Sequence, residues 1–320
     1  MDEHETKINL NNIGDEKVSQ STMKIQNINS IEDDDEYSDP DFTEDSEEEI
    51  IDIDEQNKSI PRKLSYIAND IFLNAMDEDF SNVVSKKSFL TRQEKILQKS
   101  PKMRENIIKY LIRVAQDIGC SSDALFNAAF YINIVLCSTE LLAENIQLFV
   151  LSCLWLSIKA DKRTYGYLDQ YLEKTNTNFI ADQIIATEMD LLPALSFRTT
   201  YPTIKFFVRR FLDIVSTDAI VYECANFFCE VFIMSFESLD CPTAVGAAAA
   251  VYSSFVGLNQ RFPMQLLLRY TTNIGEEEIL EASDWMIKKA KNILKNDKHL
   301  LNERYSDQRL RGGVKKMKFE

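Results

Sequence analysis

Residues 148–159 read LFVLSCLWLSIK and residues 244–255 read AVGAAAAVYSSF. Each stretch is apolar almost all the way round a helix, which suits the buried centre of a bundle and not its surface. The two align at a shift of 96 residues, and Asp182–Leu192 aligns with Glu277–Ile287 at a shift of 95. Matching order at a nearly constant shift points to a duplicated unit. Outward from these anchors the spacing is helical from Ser65 to about Lys295. It predicts helices over 102–118, 122–138, 142–160, 164–173 and 178–196, then over 202–213, 217–236, 241–258, 262–271 and 276–294. Pro101, Pro202, Pro242 and Pro263 fall at or just before helix starts, where a missing N–H is harmless. Pro193 falls in a last turn and should kink or end its helix. No run alternates as a strand requires. The fold class is all-α, two tandem five-helix domains.

The charge is uneven. Residues 1–61 carry 20 acidic and 4 basic side chains, while residues 62–320 carry 31 and 32. That first segment has two aromatics, Tyr37 and Phe42, and cannot bury enough apolar surface to offset its chain entropy. It is expected to be a disordered acidic tail. Two histidines, His4 and His299, leave no His-based triad or multi-His metal site. Cys120, Cys137, Cys153, Cys224, Cys229 and Cys241 contain no C-x-x-C pair and read as reduced thiols, so no metal and no cofactor is expected. Charged side chains interrupt the apolar runs short of a membrane span. The expectation is a soluble protein of the nucleus and cytoplasm.

The chain resembles the cyclins, specifically the A/B-type mitotic group. Met103-Arg104-Glu105-Asn106-Ile107-Ile108-Lys109-Tyr110-Leu111 looks like the start of the cyclin box. Asn127–Leu136 (NAAFYINIVL), Gln147-Leu148 and Ser157-Ile158-Lys159 follow at the family's spacing, and Glu188 stands 29 residues after Lys159. Phe89-Leu90-Thr91-Arg92-Gln93 is similar to a B-type lead-in. Pro242–Tyr252, Tyr270–Ile279 and Glu303-Arg304-Tyr305 resemble the C-terminal domain and ending. The implied organisation is a tail (1–61), an N-terminal helix and lead-in (62–101), an N-terminal cyclin box (102–198), a C-terminal cyclin domain (199–300) and an extension (301–320).

The resemblance implies a non-catalytic, activating subunit of a cyclin-dependent Ser/Thr kinase. The sequence has no Gly-rich phosphate loop, H-R-D or D-F-G of its own. By resemblance Lys159 and Glu188 bind the kinase backbone beside its αC helix. Ala160, Leu192, Phe197 and Thr199 belong to the same surface. Arg104, Asn133 and Leu148 are structural members of the box. Met103, Ile107, Tyr110 and Gln147 match a groove for Arg-x-Leu docking peptides, and the first three share a helix face.

Several positions depart from the family pattern. Asn133 stands where an Asp usually pairs with Arg104, which weakens compensation of that charge. Ala160 replaces a larger apolar contact and Lys162 an acid. Lys109 and Arg113 stand where the groove is usually flanked by acids, so basic docking motifs should bind weakly and an acidic or neutral motif is preferred. The tail lacks an Arg-x-x-Leu and a Lys-Glu-Asn degradation motif, and offers instead the acidic, Ser- and Thr-containing stretch Glu32–Glu55.

Rival functions are a transcription-associated cyclin, a scaffold without kinase activation, and a DNA-binding initiation factor of the same fold. The last needs a basic face and usually a zinc ribbon. Residues 1–100 contain no Cys, and the basic cluster is confined to Arg309, Arg311, Lys315, Lys316 and Lys318. Nucleic acid and membrane are therefore not expected partners.

Overall fold

The computed structural model describes residues 62–81, 83, 86–93, 101–138, 145–161, 167–216, 218–271, 273–305 and 312–319. The expectations for the acidic tail, Lys162, Arg309 and Arg311 lie outside these. Two lead-in helices, α1 (Arg62–Ser81) and α2 (Lys86–Gln93), precede a first repeat of α3 (Pro101–Ile118), α4 (Ser122–Ser138), α5 (Ile146–Ala160), α6 (Leu168–Thr175) and α7 (Ala181–Ala194). The second repeat comprises α8 (Ile204–Val215), α9 (Ala219–Met234), α10 (Thr243–Gly257), α11 (Met264–Leu268) and α12 (Glu276–Leu294). Helices α13 (Leu300–Tyr305) and α14 (Gly313–Lys316) close the chain. No strand occurs among the described residues.

Ten helices therefore stand close to where the periodicity placed them, with differences at their ends; α6 runs from Leu168 to Thr175 where 164–173 was expected, and α7 starts at Ala181 where 178 was expected. Helix α9 stops at Met234, where Ser235 turns extended and a 3-10 segment, Phe236–Asp240, follows. Helix α11 is shorter than expected at both ends. Helix α7 ends just past Pro193: the N–H of Ser196 donates to the Pro193 carbonyl at 2.9 Å and that of Phe197 to the Leu192 carbonyl at 2.8 Å. This closure uses left-handed backbone, normally glycine's, at Ser196 (φ 52°) and Phe197 (φ 57°).

The two central helices are as buried as their composition demands. Every residue of α5 from Phe149 to Ile158 is buried, and so is α10 except at a few positions. Helix α10 is built from small residues because α9 crosses it closely; a Cβ on Gly246 would collide with the Phe232 ring. The duplication extends to capping. The N–H of Ile180 donates to Gln183 Oε1 at 3.0 Å and that of Gly275 to Glu278 Oε2 at 2.8 Å, the same half of a capping box 95 residues apart.

Buried polar links join the pieces. Arg104, fully buried, donates from Nε to Asn133 Oδ1 at 3.0 Å within the first repeat. From Nη1 it reaches the Ser235 carbonyl at 2.8 Å and from Nη2 the Ser238 hydroxyl at 3.3 Å, both in the second. Burial pulls its pKa down to about 10, so it stays cationic at neutral pH. Helix α1 lays Phe72 edge-on against Phe207 and Phe211 of α8, with centroids 5.9 Å apart in each pair. Its Asp79 then accepts the Ala244 N–H at 2.8 Å, capping α10, whose own N-cap residue is Pro242. At the other end, Tyr305 of α13 donates to Glu230 of α9 at 3.0 Å, and Arg304 Nε lies 3.3 Å from the same oxygen.

Asp79 gives a pH signature. Burial, partly offset by its hydrogen bonds to residues 243 and 244, pushes its carboxyl from 3.8 up to about 6. Between those values the folded chain holds a proton that the unfolded chain has released, so the contribution of this group to stability falls as pH rises through the window. Measured against Asp79→Asn by urea unfolding, wild type should lose about 1 kcal/mol between pH 5 and pH 7.5. A constant difference between the two proteins would show that Asp79 does not titrate there.

Candidate functional site: a charged pair in an apolar surface

Helix α5 emerges from the core at its last turn, where Lys159 is the first exposed side chain after ten buried residues. A cation there also complements the helix C-terminus. Across from it on α7, Glu188 is largely buried, and the two form an ion pair. Side-chain exposure is 45% for Lys159 and 11% for Glu188, so the carboxylate is fixed and the ammonium faces solvent. Lys159 Nζ also sits 5.9 Å from the centre of the Trp155 ring. Trp155 in turn packs on Tyr171, whose hydroxyl donates to the Leu151 carbonyl at 2.8 Å.

The surface around the pair is apolar. Ile185, Met189 and Leu192 recur at i, i+4 and i+7 along α7, flanking Glu188. Ile185 and Met189 are exposed and Leu192 half-buried. Just beyond, the left-handed turn holds Phe197 out in solvent at 71% exposure. A non-glycine residue in that backbone region costs about 1–3 kcal/mol, and such strain concentrates at functional surfaces. Thr199 is half-buried, and its carbonyl accepts from Asn127 Nδ2 at 3.0 Å and from the Tyr131 hydroxyl. Ala160 is half-buried, and the neighbouring Asp161 accepts the Ser121 hydroxyl. Arg198 pairs with Glu78 of α1 and lies 4.7 Å from the Tyr201 ring centre, bracing the turn from behind.

The family resemblance grouped Lys159 and Glu188 with Leu192 and Phe197, and the structure brings Lys159 and Glu188 together; Ile185 and Met189, exposed on the same helix, were not among the residues it named. Their signal was present: α7 carries apolar residues on two sides, more than a helix with one core face needs. The second repeat supplies a contrast. The positions equivalent to Lys159 and Glu188, at shifts of 96 and 95, are Phe255 and Ser283, both buried. Ser283 shares a 2.9 Å hydrogen bond with Ser253, and Phe255 packs on Phe262. Only the first repeat, then, presents a charged pair here.

On α3 the stripe divides. Ile107 is 3% exposed and belongs to the core, while Met103 and Tyr110 are half-buried and Gln147 is exposed at the start of α5. Leu148 packs against the core from the edge. No group of residues suited to hold a metal ion occurs among the described residues.

The comparison with known proteins decides what this two-repeat arrangement is. The family model "Cyclin, N-terminal domain" matches residues 70–200, and "Cyclin, C-terminal domain" matches 202–319. The chain belongs to the cyclin family. Among its relatives, Cyclin-A1-2 of Oryza sativa subsp. japonica is 24% identical over 241 residues, 73% of this cyclin and 50% of that protein. G2/mitotic-specific cyclin-2 of Medicago sativa is 23% identical over 197 residues, 62% of this cyclin and 60% of the relative. Cyclin-B1-3 of Oryza sativa subsp. japonica is 24% identical over 182 residues, 57% and 39% respectively. These names place the cyclin in the A/B-type group. It spans about half the length of the first of them. In structure it is similar to a viral cyclin from herpesvirus saimiri, with a TM-score of 0.55 at 13% identity, covering 68% of this cyclin and 97% of that chain. The two tandem cyclin-fold domains expected from the duplication are therefore present.

Proposed function

We propose that this cyclin is the regulatory, non-catalytic subunit of a cyclin-dependent Ser/Thr kinase that acts in the cell cycle at G2/M. The observation that carries the proposal is the exposed apolar surface of Ile185, Met189 and Phe197 around the Lys159–Glu188 pair. An apolar area with one charged pair at its centre suits a helix and its adjoining backbone, the pair supplying a donor and an acceptor for main-chain groups. A kinase alone favours an αC helix rotated outward. A surface that fits only the inward-rotated helix shifts that equilibrium by its preference between the two states. Rotation inward brings the αC glutamate to the ATP-positioning lysine and frees the activation loop. The cyclin adds no reacting group; its role is to select a conformation. The relatives' A-type and G2/mitotic names support the cell-cycle assignment. The exposed Lys315, Lys316 and Lys318 suit nuclear import, and residence in nucleus and cytoplasm is proposed with the rest.

A scaffold that binds a kinase without activating it is the second reading. It is favoured by Ala160, a small side chain where the apolar surface adjoins the charged pair. One assay separates the two. Full-length cyclin is titrated into candidate cyclin-dependent kinases from the same cell, and phosphorylation of a short substrate peptide is followed. Met189→Asp places a charge on a residue 64% exposed, so it should leave thermal unfolding unchanged while reducing activation about tenfold or more. Binding without activation supports the scaffold. No binding, or full activation by Met189→Asp, overturns the proposal.

A further inference from the structure

Helix α9 carries two buried acids, Glu223 and Glu230, seven residues apart and so on one side of the helix. They are 7% and 3% exposed. The C-terminal extension passes both and treats them differently. At Glu230 it brings the Tyr305 hydroxyl and the Arg304 guanidinium to one carboxylate oxygen. At Glu223 it brings neither: both carboxylate oxygens are shielded from solvent and neither accepts a hydrogen bond. The chain crosses this carboxylate at Gly313, where a Cβ would lie 3.2 Å from Glu223 Oε2 and 3.0 Å from the Ile220 carbonyl oxygen. A buried carboxylate thus meets glycine where a cation would complete it.

The segment 312–319 is not short of cations. Lys315, Lys316 and Lys318 are all exposed, whereas Val314 and Met317 are buried. Phe319 lies edge-on to Phe228 of α9, with ring centres 6.2 Å apart. The N–H of Lys318 donates to the Gly257 carbonyl at the end of α10 at 2.7 Å. The register that seats these three apolar side chains turns the lysines to solvent and leaves glycine on the acid. Residues 312–319 are therefore held as a bound peptide is held, by apolar anchors and a main-chain bond, over a charge they do not use.

We infer that the groove on α9 beneath residues 312–319 is a docking site for a cation-bearing apolar segment of a partner protein, held closed by the chain's own C-terminal strap. A competing segment that repeats the apolar anchors and brings an ammonium or guanidinium to Glu223 gains a charge-assisted bond that the strap lacks. That gain works against the tether, which gives the strap an effective concentration in roughly the millimolar range. The strap of a second copy would bring the same glycine, so exchange between copies leaves Glu223 as it is. The groove belongs to the second repeat and the charged pair proposed to meet a kinase to the first, so either reading can fail alone.

The test uses the full chain and a peptide of residues 313–320, GVKKMKFE, with fluorescein on an added C-terminal lysine. One version keeps its N-terminal ammonium, which supplies a cation at the glycine position without a Cβ; the other is acetylated. Binding is followed by fluorescence anisotropy at about pH 6.5, where an α-amino group is protonated. Val314→Asp, at a side chain 2% exposed, frees the strap, and circular dichroism checks that the remaining helices persist. In that variant the free-amine peptide should bind about tenfold more tightly than the acetylated one. Both should bind it about tenfold or more tighter than they bind wild type. Adding Glu223→Gln should erase the difference between the peptides. Lys318→Pro, which removes the 2.7 Å bond at an exposed side chain, should give the same order with a smaller release, and it decides the matter if Val314→Asp unfolds the chain. With the strap in place, Glu223→Gln should raise Tm by removing an unpaired buried charge, and Glu230→Gln should lower it by weakening the hold on Arg304. Equal affinity for the two peptides, no gain on freeing the strap, binding of neither peptide, or a lower Tm for Glu223→Gln would overturn the inference.

Discussion

Truncating Glu188 to alanine should weaken association with the proposed kinase partner by about 2–5 kcal/mol, and adding Lys159→Ala should cost little more. The pair acts as a unit. Its buried half positions its exposed half, and without the carboxylate the lysine loses its fixed geometry at the centre of the surface. Single losses should therefore be nearly as damaging as the double loss, with a large coupling energy in the cycle. The singles should differ in stability. Glu188→Ala leaves an ammonium that is 45% exposed and can be solvated. Lys159→Ala leaves a carboxylate only 11% exposed and without that cation, the more expensive orphan. Calorimetric titration of the kinase, beside thermal unfolding of the free cyclin, checks both orders. Additive effects of two small losses would place the interface elsewhere.

The largest effect on the free protein should come from Arg104. Arg104→Ala is expected to lower the unfolding free energy by about 3–5 kcal/mol, because it empties a fully buried site and strips the Ser235 carbonyl and Ser238 hydroxyl of a donor. The reciprocal change runs the other way. Asn133 already accepts from Arg104 Nε at 3.0 Å, so Asn133→Asp places a formal negative charge against a guanidinium that has no carboxylate among the partners described above. Charge-assisted bonds are roughly twice as strong as neutral ones, and a gain of about 1–2 kcal/mol should follow. In the Arg104→Ala background the same Asp should destabilise, being half-buried with no cation to meet. Denaturant unfolding of the four proteins reads this change of sign directly.

How far the sequence carried the structure depended on the range of each interaction. Periodicity within a helix is local, and so the ten helices and the buried centres α5 and α10 were readable from spacing alone. Arg104–Asn133 and Lys159–Glu188 were readable because a family pattern supplied their pairing across 29 residues in each case. Bonds that join distant elements left no such trace. Nothing at Asp79 announces that it caps a helix 165 residues later, and nothing at Arg104 points to Ser235 or Ser238. Ile107 shows the opposite limit. The i, i+4, i+7 spacing puts Met103, Ile107 and Tyr110 on one side of a helix, but which of them reaches the surface depends on the neighbouring elements, and Ile107 goes inward. Phe197 combines both problems: its exposure follows from a left-handed turn at two residues whose side chains do not favour one.

The reach of Arg104 also sets a clock on synthesis. Its two acceptors in the second repeat lie 131 and 134 residues downstream. At a ribosomal rate of 5–20 residues per second, those acceptors follow the arginine by about 7–26 s. For that interval a nascent first repeat holds a cation whose burial is already half arranged by Asn133, with two of its bonds waiting on a chain segment not yet made. A nascent chain whose first repeat folds before that segment emerges would be compact but unsealed for this period, open to chaperones and to misassembly with its neighbours on the same message.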